Sequence, residues 1–291
     1  MNAPVSPTAG DESALARADA LYRALLGRPI DAGAVESIRA SLKAGTYDEF
    51  LLGLQVNCST EYVGRLLERC IDAHIYFVHR ARHVMIRRLL PPAKQIIDLG
   101  GANAPLYRMG YAHPFERLVM VDLPPEDRHE MYKNIQVTAP TEGAEVVIHY
   151  SDMTRLEAFP DASFDLVWSG QSIEHVDLES GRRMCREAMR VLRPGGHFCL
   201  DTPNRGVTKI HTRDWGGAFI HPEHKHEYHG PELRAQLEQA GFDIVAAHGV
   251  CEMPVTCASG NFHYEYFILG NPLTDDVELG YILYFGCRKP D

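Results

Sequence analysis

The sequence predicts an α/β protein: a seven-stranded, mostly parallel sheet with helices on both faces, preceded by a small all-α module. Three observations carry this expectation. Apolar side chains recur at helical spacing from Asp11 to Leu67. After Gln95 the period changes, and short β-like runs alternate with helical ones. Several of those runs end in an acid followed by small residues, the pattern of a strand feeding a ligand loop. The 291 residues suffice for one large domain plus an appendage, and 45% apolar with 23% charged residues is ordinary for a soluble globular chain.

Residues 1–10, rich in Pro, Ala and Ser, predict a disordered lead. Leu15, Ala18, Tyr22, Leu25 and Leu26 share a helical face, and Gly27 followed by Pro29 stops that run. Asp31 stands where an N-cap belongs, ahead of Ala34, Ile38 and Leu42, with Gly45 as the stop. Thr46 and Glu49 form a capping-box pattern that would open a helix over 50–56, and Ser59 can cap another. A long helical pattern over 60–90 ends at Pro91-Pro92. Residues 18–66, chiefly LYRALLGR and the helix spacing, resemble a short all-helical module of unknown function. That module recurs in bacterial proteins, often with polysaccharide-modifying enzymes. The resemblance implies packing or interaction, so residues 11–67 are taken as the module and 68–291 as the domain carrying the chemistry. A homodimer or protein partner would be met through the module.

Seven strands are expected at 95–100, 117–123, 145–151, 164–170, 197–203, 243–250 and 281–289. SGRRMCREAMRVLRPGG is the clearest helix, with Met184, Ala188 and Val191-Leu192 on one face and Gly195-Gly196 as its stop; GPELRAQLEQAGF is the next. The balance of 29 basic to 39 acidic residues gives a net charge of −10, which lacks the footprint of a nucleic-acid binder. No run approaches the ~18 apolar residues of a membrane span, and the start lacks the pattern of a signal peptide. Seven scattered cysteines contain no C-x-x-C pair, so a cytoplasmic protein with reduced thiols is expected.

The chemistry concentrates at strand ends. QIIDLGGANA ends a strand at Asp98 and continues into a small-residue loop, where a ligand can approach the backbone and helix-terminal amides. It is not G-x-G-x-x-G, so the dinucleotide fingerprint is absent. Asp122 ends the next strand and can accept from both hydroxyls of a ribose. Asp152-Met153 follows the third, and a fourth leads into Ser169, Gln171, Glu174 and His175.

In order and spacing, this series resembles the class I S-adenosylmethionine-dependent methyltransferases over roughly residues 72–288. The resemblance implies a Rossmann-like fold closed by a C-terminal strand pair, with S-adenosyl-L-methionine as cofactor and S-adenosyl-L-homocysteine as product. It implies that Asp98 and Gly100 line the methionine side, that Asp122 takes the ribose hydroxyls, and that Asp152 with Met153 meets the adenine, with Gly101 and Leu123 also among the cofactor contacts. Ser169 and Gln171 would lie near the methionyl group or the substrate. The family's G-x-G-x-G loop reads Gly100-Gly-Ala102-Asn-Ala104 here, a departure that bears on loop geometry and affinity.

A hydroxyl acceptor profits from a general base, usually histidine. That directs attention to His175 and to the tract around His211, Asp214, His221, Glu223, His224, His226 and His229, between the fifth strand and the next helix. His175 and His224 are the expected catalytic pair. Tyr76, His79, Glu174, His221 and His226 are the expected substrate contacts. The H-x-x-H-x-H-x-x-H spacing matches no fixed metal signature, so no metal ligand is assigned and a divalent metal is not favoured. The expected reaction is O-methylation of a small-molecule, sugar or glycan-precursor hydroxyl. N- or C-methylation of a small metabolite, and a non-catalytic binding protein of the same fold, remain as alternatives.

Overall fold

Acidic caps and left-handed glycines punctuate the first helices. The computed structural model describes residues 9–62, 65, 73–128, 144–213 and 216–291. The chain divides between His74 and Ile75 into two compact units. In the first, helix α1 (Ala9–Leu26) buries Ala14, Ala18 and Leu26, and ends at Gly27 with φ 63°. Helix α2 (Ala32–Ala44) starts at Asp31, whose carboxylate accepts from the Ala34 amide, and stops at Gly45 in the left-handed region. Helix α3 (Glu49–Asn57) corrects one expectation. Its cap is Asp48, not Thr46, because the Asp48 carboxylate accepts from the Phe50 and Leu51 amides at 2.8 and 3.1 Å. Arg28 clamps Glu61 through two 2.7 Å hydrogen bonds. Most of the expected lead, and part of the continuous helix expected over 60–90, lie outside the described residues.

Helix α4 (Ala73–Leu89) leads into the second unit. Strands β1 (Gln95–Leu99), β2 (Arg117–Asp122), β3 (Glu145–Tyr150), β4 (Phe164–Gly170) and β5 (Leu192–Pro203) pair in parallel in the order β3-β2-β1-β4-β5. Strand β8 (Gly280–Arg288) lies antiparallel between β5 and β6 (Asp243–Glu252). The sheet has eight strands rather than seven. The extra one, β7 (Leu273–Thr274), is two residues paired to the edge of β6, too short to leave an alternating pattern in sequence.

Helix α5 (Leu178–Val191) buries Met184, Cys185, Ala188 and Val191 in the core that includes Ile97, Val119, Val167 and Phe198. Each large apolar side chain among them contributes roughly 1.5–3 kcal/mol on burial. The helix ends at Val191 and β5 begins at once, so Gly195-Gly196 are not its stop. They shape the entry into the strand, with Gly195 at φ 73°. Helix α6 (Arg205–Thr212) follows β5, and helix α7 (Gly230–Gln239) follows the histidine-rich loop. Strand order reverses between β1 and β4, and a crevice opens there at the carboxyl ends of the strands. Among the described residues, no helix is long and apolar enough to cross a membrane.

Candidate active site

A cavity of about 560 Å³ occupies that crevice. Its floor is the turn after β1. Gly100 holds φ 78° and donates its amide to the Val121 carbonyl at 2.8 Å. A Cβ there would stand 2.5 Å from Ser172 Oγ, and one on Gly101 would fall 2.1–2.3 Å from the Asp98 carboxylate. Both glycines are therefore required by close approach. Asp98 is fully buried beneath them. Its Oδ2 accepts from the Leu106 amide at 2.9 Å, and its Oδ1 has no hydrogen-bond partner. Burial pushes the Asp98 carboxyl up to about 7, and neighbouring Asp122 adds to the rise, against the Leu106 hydrogen bond.

Asp122 ends β2 beside this turn. Its Oδ2 accepts from Ala102 N at 3.1 Å and its Oδ1 from Leu123 N at 2.8 Å, with Arg128 Nη2 at 3.3 Å. Burial raises its pKa, and Arg128 is the largest opposing influence. Ala102, where the loop departs from G-x-G-x-G, is buried and contributes its amide to this arrangement, while Ala104 lines the cavity. Leu123, Asp152 and Met153 continue the wall, and Asp152 Oδ1 accepts from Thr154 N at 2.8 Å.

Arg82 and Asp201 join helix α4 to β5 across the cavity wall in a two-pronged ion pair, Arg82 Nη2 reaching Asp201 Oδ1 at 3.0 Å. Arg82 also meets His79 Nδ1 at 3.3 Å, and burial followed by Arg82 lowers the His79 pKa. Gln171 takes the left-handed region, φ 56°, and its amide donates to Asp201 O at 2.9 Å. Asp201 obeys the same rule of an acid near a strand end that singled out Asp98 and Asp122, so it was legible in HFCLDTP; Arg82 left no comparable signal.

The opposite end is built from the 3-10 turn Ile173–His175 and the loop at 220–226. Glu174 is fully buried. Its Oε2 accepts from Thr202 Oγ1 at 2.8 Å, its Oε1 has no partner, and its backbone carbonyl accepts from Lys225 N at 2.7 Å. Burial pushes its carboxyl up to about 7, against the pull of His224. His175 packs edge-on to His224 with ring centroids 4.9 Å apart, and His221 lies 5.4 Å from His224. Burial, then His224 and His221, lower the His175 pKa to about 3.

His224 Nδ1 lies 2.8 Å from Glu227 Oε1. Burial would push the Glu227 carboxyl up, but hydrogen bonds from His224, Thr208 and the Ile220 amide outweigh it and hold the pKa below the usual range. Ionised Glu227 accepts, so His224 donates from Nδ1, and in the neutral ring Nε2 is the nitrogen that carries the lone pair. Sequence reasoning did not single out Glu227. The Glu three residues after His224 in HKHE is the only trace of it.

The structure gathers Asp98, Gly100, Gly101, Asp122, Leu123, Asp152, Met153, Gln171, His79, Glu174, His175, His221 and His224 around one cavity. Three expected residues fall outside its lining. Ser169 is fully buried within β4; Trp168 and Gly170 border the cavity, so strand alternation turns Ser169 to the other face. Tyr76 is 67% exposed, because Ile75, Val78, His79 and Arg82 form the helical face that meets the cavity. His226 Nε2 instead bonds Glu232 Oε1 at 2.8 Å. His211 is stacked on Phe262 and contacts the hydroxyls of Tyr281 and Tyr264, His229 caps helix α7, and Asp214 lies outside the described residues.

Residues 98–200 match the methyltransferase domain family. Over that stretch the chain carries a methyltransferase domain. A Mycolicibacterium smegmatis protein, named a probable S-adenosylmethionine-dependent methyltransferase, is 40% identical over 105 residues, 36% of this chain and 38% of that protein. The match thus spans little more than a third of that relative. The 27-O-demethylrifamycin SV methyltransferase of Amycolatopsis mediterranei is 46% identical over 55 residues, 19% of each chain. Among solved structures, a methyltransferase in complex with the Trm112 activator of Haloferax volcanii superposes with a TM-score of 0.52 at 17% identity. That superposition covers 77% of this chain and 96% of the other, a likeness of fold. The orphaned Asp98 oxygen and the glycine turn over it suit the domain's cofactor, S-adenosylmethionine, which brings an ammonium and needs close backbone approach.

Proposed function

We propose that this protein is an O-methyltransferase, carrying a methyl group from S-adenosylmethionine to a hydroxyl of a small molecule, with sugars and glycan precursors as the favoured class. One observation supports this above the others: a single cavity has two chemically distinct ends, a glycine-and-acid cradle and a buried Glu–His cluster. In this reading Asp98 receives the methionyl ammonium on its unpaired Oδ1. Asp122 accepts from the ribose hydroxyls, while Leu123, Asp152 and Met153 meet the adenine.

When bound, S-adenosylmethionine supplies a methyl group on a sulfonium, which departs as a neutral thioether. The acceptor oxygen forms the new C–O bond as the C–S bond breaks, and its proton passes to His224, which Glu227 backs at this end of the cavity. Burial, then His224 and His221, hold the His175 pKa at about 3, so its ring is neutral and too weak a base to keep a proton, and its lone pair stays available at this end of the cavity. Positioning donor and acceptor in line within one cavity supplies much of the acceleration. The rifamycin relative, named for transfer to an oxygen, favours an oxygen acceptor here. The net charge of −10 disfavours polyanionic acceptors.

The test is transfer of labelled methyl from S-adenosylmethionine to a panel of nucleotide sugars, free sugars, phenols and amines, with product mapping by mass spectrometry. Methylation at a hydroxyl is expected. Methylation confined to amines or carbon would overturn the oxygen assignment, and tight S-adenosylhomocysteine binding without turnover on any acceptor would favour a binding protein.

A further inference from the structure

Burying a carboxylate oxygen with no partner is costly, and natural folds keep such an atom where something else completes it. Glu174 Oε1 is in that state at the acceptor end of the cavity. Beside it stand two imidazoles: one ligand-type atom from each of Glu174, His175 and His224 lies within 4.8 Å of the others. We infer that Glu174, His175 and His224 form a site for one divalent first-row transition-metal cation, with its open positions facing the cavity.

The supporting contacts are those a metal site requires. Glu174 and His175 are neighbours on one short turn, and the loop bearing His224 is tied to that turn by the Lys225 and His226 amides, 2.7 and 3.2 Å from the Glu174 carbonyl. Glu227 takes the Nδ1 proton of His224, which fixes the tautomer that offers Nε2; a carboxylate behind a ligating histidine is the usual orienting partner. Thr202 holds the other Glu174 oxygen in place.

Two imidazole nitrogens and one carboxylate oxygen suit Zn²⁺, Co²⁺, Fe²⁺ or Mn²⁺, not the all-oxygen shells of Ca²⁺. Ligand bonds of about 2.1 Å would draw the three atoms in by about an ångström, within reach of side-chain rotation. The three ligands leave at least one position open, as in catalytic rather than structural sites. The role of the site in activating the acceptor rests on the methyltransferase reading above; cation binding itself does not. A hydroxyl bound at the open position would lose its proton more easily, to water in the cavity because His224 is then a ligand, as its oxygen attacks the methyl group.

The experiment is equilibrium dialysis and calorimetry of the metal-stripped full-length chain with Co²⁺ and with Zn²⁺. Visible Co²⁺ absorption reports the ligand set, and S-adenosylhomocysteine affinity is measured on the same samples. About one equivalent is expected, unaffected by excess Mg²⁺, with affinity falling at least about tenfold in Glu174→Gln, His224→Gln and Glu227→Gln. His226→Gln and His229→Gln control for the rest of the histidine-rich loop and should bind as the parent does. Unchanged far-ultraviolet dichroism and S-adenosylhomocysteine affinity in the variants would show that folding is intact. Absence of stoichiometric binding, or binding that survives Glu174→Gln and His224→Gln, overturns the site. If the cation binds but S-adenosylhomocysteine does not, the site stands and the methyltransferase reading falls. If only S-adenosylhomocysteine binds, the reverse holds.

Discussion

Replacing Asp98 with asparagine separates two consequences of burying a carboxyl at the end of β1. Burial raises the Asp98 pKa from 3.8 to about 7. Below the lower value, both the folded and the unfolded chain hold the proton, and no stability difference arises from it. As pH rises between the two values, the unfolded chain releases the proton while the folded one retains it. Folding stability therefore falls across that window and levels off above about pH 7. About three pKa units correspond to a ceiling of about 4 kcal/mol, and roughly half that would survive relaxation around the site. The carboxamide of the variant has no proton to release, so the stability of Asp98→Asn relative to the parent should climb by about 1.5–3 kcal/mol between about pH 4.5 and pH 7.5. Glu174, also held at about 7, tilts both proteins equally and cancels in the difference.

The assay is urea denaturation of both proteins at several pH values, followed by dichroism with two-state analysis of the unit that carries the sheet. A difference independent of pH would refute the buried-acid reasoning. The same carboxyl must ionise to hold an ammonium, so S-adenosylhomocysteine affinity of the parent should rise with pH toward about 7, by no more than about tenfold per unit, and flatten in the variant. Parallel binding profiles in the two proteins would remove Asp98 from the methionine side.

Asp122→Ala should weaken S-adenosylhomocysteine binding by about 1–3 kcal/mol through loss of charge-assisted hydrogen bonds, and unchanged calorimetric affinity would contradict its ribose role. Met184→Ala opens a void where α5 meets the sheet and should cost about 2–5 kcal/mol in urea unfolding with little change in S-adenosylhomocysteine affinity, because Met184 lies away from the cavity. Asp201→Asn leaves the buried Arg82 charge without its counter-ion and should destabilise by about 3–5 kcal/mol; a loss below about 1 kcal/mol would mean that water reaches the pair.

Sequence periodicity located seven of the strands because each is bounded by turn residues and, β3 apart, carries buried side chains. Ile96, Ile97 and Leu99 flank Asp98, and Leu118–Val121 lead to Asp122, so the acid at each strand end stood out against an apolar run. The failures have equally local causes. Two-residue β7 carries no period at all. Thr46 and Asp48 compete for one helix start, and the carboxylate wins by accepting from two amides where a hydroxyl would serve one. Leu192 ends one pattern and begins another without a spacer, so the glycines three residues later were mistaken for the helix stop.

The candidate site was legible only where its residues follow chain order. Asp98, Asp122 and Asp152 sit one per βα unit at one sheet edge, a one-dimensional rhythm that survives in sequence. The opposite end of the cavity has no such rhythm. Glu174 and His175 come from one turn, His224 from a loop about fifty residues later, and the Glu227 that orients it from the segment before helix α7. Four histidines in HPEHKHEYH draw equal attention, yet helical capping consumes His229 and a surface contact with Glu232 takes His226, leaving His221 and His224 to face the cavity. What distinguishes them is which side chain finds a carboxylate behind it and a cavity in front. Residue spacing in the tract does not encode that, and the cluster inferred above leaves no signature within the tract, because two of its three members, Glu174 and His175, lie outside it.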